Sequence, residues 1–162
     1  MPFYNYQYSG DRLFPIAAND DDFTFRVWIN NGTSIERVIS VSKSKGRSAE
    51  AYFDEISIAF PKDKIQRFHR KRKTTPKSGI EKFIERVDSL NLYNYQSQVG
   101  EIPVVLHQPF SLYVVEIKNE HKYNCFKFQT NYPGKQVESS VYEKIQSLIF
   151  EEFKYNFYFN EE

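Results

Sequence analysis

Residues 23–30 constrain the fold more than any other stretch of the chain. Phe23, Phe25, Val27 and Ile29 alternate with Thr24, Arg26 and Trp28, and Asn31-Gly32 follows almost at once. Successive side chains of a strand point to opposite faces, so the four apolar residues share one face. Asn-Gly tolerates the positive φ angles of a type I′ turn, which predicts a reversal into an antiparallel partner. The return strand reads as 34–42, with Ile35, Ile39 and Val41 on one face. An isolated hairpin is marginal in water, so more strands and a cover for the apolar face are required.

Two segments supply that cover. In 79–90, Ile80, Phe83, Ile84, Val87 and Leu90 recur at three- and four-residue spacing, the mark of an amphipathic helix. Ser78 with Glu81 three residues on fits a capping box, and Thr75-Pro76 marks the boundary upstream. In 138–153, Val141, Ile145, Leu148 and Ile149 form a second stripe, flanked by Tyr142 and Phe153. Between the helices, 102–106, 110–118 and 121–130 read as strands, and 49–58 reads as a third strand of the first group. The order is hairpin, strand, helix, hairpin, helix. No repeat, linker or low-complexity block divides residues 1–162, so one domain is expected, with 1–21 a candidate for loose order. The fold class is α+β: an antiparallel β-sheet built from hairpins with two amphipathic helices packed on one face.

The single cysteine, Cys125, excludes an intrachain disulfide and points to a reducing compartment. The chain start lacks the basic and apolar run of a secretory signal, and no apolar stretch approaches the length of a membrane span. A cytoplasmic protein with no membrane partner is expected. Asn31-Gly32-Thr33 matches a glycosylation sequon, but the hairpin turn explains it.

Charge is unevenly placed. Residues 62–77 hold eight Lys and Arg against one Asp, a local charge of +7, while the rest of the chain carries −6. Arg67, Arg70, Lys71, Arg72 and Lys73 are the candidate partner-binding residues of this run. Three readings compete: a solvated edge strand that deters aggregation, a docking site for an acidic protein, and a phosphate grip with Phe68 or His69 stacking on a base. A short helix opened by Pro61 is the alternative local structure. The net acidic remainder of the chain would repel a long duplex, which weighs against nucleic acid. Tyr155, Phe157 and Tyr158 of the aromatic tail are further partner-binding candidates, whether for a foreign protein or for homodimerisation.

The sequence offers little catalytic chemistry. His121 and Cys125 lie four apart on one predicted strand near His107, but three ligands without tight pairing make a poor zinc set. Cys125 sits among Tyr123, Phe126 and Phe128, the setting of a small buried hydrophobe rather than of a thiol nucleophile. Asp20, Asp21 and Asp22 do not match a calcium loop. None of the phosphate-loop, dinucleotide or nucleophile-elbow patterns occurs. No catalytic residue, metal or cofactor is expected, and an enzyme would need a dispersed acid–base site.

Residues 73–153 resemble a pattern common among small uncharacterised bacterial α+β proteins of the immunity-protein type. Thr75-Pro76-Lys77-Ser78-Gly79-Ile80-Glu81-Lys82-Phe83 opens a helix and Val87-Asp88-Ser89-Leu90 closes it. Ser111-Leu112-Tyr113-Val114-Val115-Glu116-Ile117 forms a strand, and Tyr142, Ile145 and Leu148 mark the last helix. The resemblance implies a non-catalytic protein that neutralises a cognate toxin by direct binding. The basic run departs from it, since immunity proteins against nucleases are often acidic.

Overall fold

The structure is a computed structural model that describes residues 16–29, 35–59, 66–96, 112–120, 122–129 and 139–154. Six strands, β1 (Phe23–Ile29), β2 (Ile35–Lys43), β3 (Glu50–Ala59), β4 (Gln66–Thr74), β5 (Leu112–Asn119) and β6 (Lys122–Gln129), form one antiparallel sheet in the order β4-β3-β2-β1-β5-β6. Helices α1 (Ile80–Ser89) and α2 (Ser139–Phe153) complete the α+β architecture. Neither is long and apolar enough to cross a membrane.

The sheet meanders from β1 to β4, and β5 then returns to the free side of β1. That makes β1 central, which explains why all seven of its residues are buried. Phe23, Phe25, Val27 and Ile29 join one cluster with Ile39, Val41, Phe53, Val115, Ile117, Phe126 and the buried stripes of both helices. Aromatic contacts tie the layers together. Phe83 of α1 meets Phe25 edge-on at 5.7 Å and Phe153 of α2 at 5.3 Å. Phe128 stacks between Tyr113 at 4.7 Å and Tyr142 at 4.5 Å. Burying a side chain such as Phe83 contributes about 1.5–3 kcal/mol.

The helix starts differ from expectation. No capping box forms at α1: the N-cap is Gly79, at φ 87° and ψ 155°, with no side-chain cap. Glu81 instead accepts from Lys43 Nζ at 2.7 Å, and the Ser78 N–H donates to Glu152 of α2 at 2.8 Å. A carboxylate from a distant helix has replaced the local one. At the other end, Asn91 adopts the left-handed conformation (φ 51°), which Asn tolerates better than most residues.

Residues 66–74 of the basic run form a strand, while 60–65, where a helix opened by Pro61 would start, lie outside the described residues. The turn at 30–34, the strand expected at 102–106, His107, His121 and the tail residues Tyr155, Phe157 and Tyr158 lie outside the described residues.

Candidate functional site

Strand β4 brings the basic candidates together along one edge of the sheet. Five of its nine residues are Lys or Arg and none is acidic. Alternation divides them: His69, Lys71 and Lys73 share one face, and Phe68, Arg70 and Arg72 the other. Arg67 belongs to the strand, while Arg70, Lys71, Arg72 and Lys73 are all solvent-exposed.

Strand β3 holds several of these groups in place. Lys73 Nζ lies 2.8 Å from Glu50 Oε1, and the Tyr52 hydroxyl donates to the same carboxylate at 3.1 Å. Together the Lys73 ammonium and the Tyr52 hydroxyl hold the Glu50 carboxyl below its ordinary range. Lys71 Nζ sits 4.2 Å from the centre of the Tyr52 ring, and the Arg72 guanidinium 4.4 Å from that of Phe53. Such cation–π contacts position a side chain while leaving its charge open to a partner.

Next to this edge lies a strip of sheet whose described residues stay outside the main core. The main core takes Ala51 and Phe53 from β3 and nothing from β4. Register aligns Ile35, Ser57 and Phe68 in one row and Arg37, Glu55 and Arg70 in the next. Ile35 is 42% exposed and Phe68 57%. Arg37 Nε bonds Glu55 Oε2 at 3.2 Å. Two exposed apolar side chains thus stand beside the exposed Arg70 and Arg72.

The opposite face of the sheet carries a different chemistry. Trp28, Val38, Ile56 and Val114 form a small second cluster, with charged groups buried around it. Glu116 Oε2 accepts from Trp28 Nε1 at 2.8 Å and from Arg26 Nη1 at 3.3 Å. Asp54, fully buried, bonds His69 Nε2 at 2.6 Å through Oδ1. Such a pair could orient an imidazole for proton transfer. Across the strands, however, His69 faces the apolar Ile56, and the next residue of the row is the buried Glu36, so no hydroxyl or thiol stands beside the imidazole in that row. Cys125 is on β6, at the other edge of the sheet, five strand spacings or about 24 Å away. Its cross-strand neighbour is Glu116, whereas activated cysteines sit beside cations. Burial, then Cys125 and Glu116, push the Tyr123 hydroxyl far above its ordinary range, so it stays neutral.

Cation binding finds no support among the described residues, where no group of three or more His, Cys, Asp or Glu is arranged to hold a metal. Asp21 is committed to structure: it accepts from Asn19, Thr24 and Ser44 and secures the entry to β1.

Sequence reasoning found the basic edge but missed the exposed strip and the buried charges. Arg26 and Glu116 alternate with apolar neighbours as outward-facing strand residues do, and Asp54 stands beside Glu55, so no local pattern marked the three as buried. Ile35 shares its face with Ile39 and Val41, yet those two are buried and Ile35 is exposed. No protein-family model matches the chain, and no curated protein matches it.

Proposed function

We propose that the chain is a non-catalytic protein-binding module of the immunity type, which neutralises a toxic partner by docking it on the β3–β4 wing. In this reading the hairpins build the sheet and both helices gather on one of its faces, toward β5 and β6. The wing is then left open beyond them. The observation that carries the reading is Phe68, 57% exposed in a strand with five Lys and Arg. A large exposed aromatic costs solvation free energy, and arginine-flanked aromatics are the residues that dominate binding at interfaces.

A nucleic-acid reading uses the same cations. It is disfavoured for a long duplex, which would reach past the strand to the net acidic remainder of the chain, whereas a short segment confined to β4 would not.

The test is protection. Phe68→Ser with Arg70→Glu should leave the folded state intact, since both residues are exposed. Co-expressed with the toxic product of the adjacent gene, the wild type should rescue growth and the variant should not. The variant should bind that product at least about 100-fold more weakly, the loss expected of one hot spot. Rescue by the variant equal to that of the wild type would refute the assignment to this wing.

A further inference from the structure

We propose that β4 receives an acidic, extended segment of the partner as a seventh strand. The proposal rests on the reading of the chain as a protein-binding module and specifies the chemistry of what it binds.

An edge strand presents a row of backbone N–H and C=O groups on its open side. Proteins blunt such edges by shortening them, by bulges, by proline or by charge. Among the described residues, strand β4 uses charge alone. It is nine residues long and contains no proline. Its pairing with β3 runs unbroken from Ala51↔Thr74 to Ala59↔Gln66, so no bulge bends it away. The opposite edge is different. On β6, Lys122 is exposed but Tyr123, Asn124, Cys125 and Lys127 are half-buried. Asn124 there is already bonded to the carbonyls of Leu92 and Tyr95 at 2.8 and 2.9 Å. Among the described residues, the open template is β4.

Its charge selects the occupant. A second copy pairing through β4 would set five cations against five, which repels self-association. An acidic strand meets the reverse. Its successive side chains would alternate between the two faces, so that carboxylates on one lie opposite Lys71 and Lys73 while apolar residues on the other lie beside Phe68. Lys71, Arg72 and Lys73 are already positioned by Tyr52, Phe53 and Glu50, so little ordering is left for the encounter. The same residues therefore prevent wrong pairing and attract the right one.

Strand addition makes a demand that simple charge attraction does not: the incoming amides on one edge must be free to bond. The probe is a fluorescent peptide of alternating Glu and Val, as long as β4, titrated against the full chain and read by anisotropy. Two companions carry N-methyl groups on alternate amides, one set for each peptide edge. A single-stranded DNA oligonucleotide of equal charge is the fourth probe. The parent peptide should bind, and one N-methylated peptide should bind about as well. The other should lose at least about tenfold, and the DNA should bind at least about tenfold more weakly than the parent. Reversing Lys71 and Lys73 with Lys71→Glu and Lys73→Glu should weaken the parent peptide by at least about tenfold.

No binding by the parent peptide, equal binding by all three peptides, or tighter binding of DNA would overturn strand addition. If growth protection through Phe68 persists while the peptides fail, only the strand-addition proposal falls. If the peptides behave as expected but Phe68→Ser with Arg70→Glu still protects, only the assignment of toxin docking to the wing falls.

Discussion

Replacing Glu116 with alanine should be among the most damaging single changes to this fold. Glu116 is fully buried and one of its oxygens serves two donors, Trp28 Nε1 at 2.8 Å and Arg26 Nη1 at 3.3 Å. Arg26 is itself only 8% exposed, and its guanidinium lies 5.9 Å from the centre of the Trp28 ring. Removing one partner of a buried ion pair costs about 3–5 kcal/mol, because the other charge is stranded. Here the arginine contact is a single bond and Arg26 has further interactions, which places that loss near the lower end. The indole N–H also loses its acceptor, worth about 1 kcal/mol more. The sum is about 4 kcal/mol, or about 8–16 °C in Tm for a domain of this size. The measurement is urea unfolding followed by fluorescence of Trp28, the sole tryptophan, which sits beside the perturbation. A double variant, Arg26→Met with Glu116→Leu, removes both charges and should lose less than half as much. A Glu116→Ala protein within about 1 kcal/mol of the wild type would refute the account, as would a double variant no better than the single.

Two further predictions concern the junction of the helices. Glu152 is 3% exposed and accepts from the Ser78 N–H and from Arg86 Nη1. Burial pushes its carboxyl upward, but the Ser78 and Arg86 bonds outweigh that and hold it below its ordinary value of 4.5. A depressed folded value means that the contribution is complete above about pH 4.5 and is lost as pH falls through the folded value. Glu152→Gln should therefore cost about 2 kcal/mol at pH 7, and urea titrations should show the gap to wild type narrowing toward pH 3; a gap constant with pH would contradict it. Gly79 has φ 87° and ψ 155°, a region reserved for glycine, with open space where a Cβ would lie. Gly79→Ala should cost about 1–3 kcal/mol from backbone strain alone, and calorimetry showing no fall in Tm would refute that.

The sequence by itself determined the elements. The alternation of Phe23, Phe25, Val27 and Ile29 and the helical stripes through Phe83, Val87, Ile145 and Ile149 are local patterns. They specify period and facing without reference to the rest of the chain. Antiparallel pairing of β1 with β2 followed from the same logic. Tertiary structure decided everything that depends on who lies beside whom. That β5 returns to β1 makes β1 central and buries its second face, turning Arg26 from an outward-facing residue into half of a buried pair with Glu116. The capping box failed for the same reason: Glu152, 74 residues from Ser78, took the role that Glu81 was positioned to play. The basic run was compatible with an edge strand or a short helix, because its spacing serves both. The pairing of β4 with β3, reinforced by Glu50, Tyr52, Phe53 and Asp54, settled it as a strand at the sheet's edge. Exposure of Ile35 and Phe68 likewise belongs to no local pattern. Among the described residues, both stand outside the main core that gathers the buried residues of the helices, and a contact that is missing can be read only from the assembled fold.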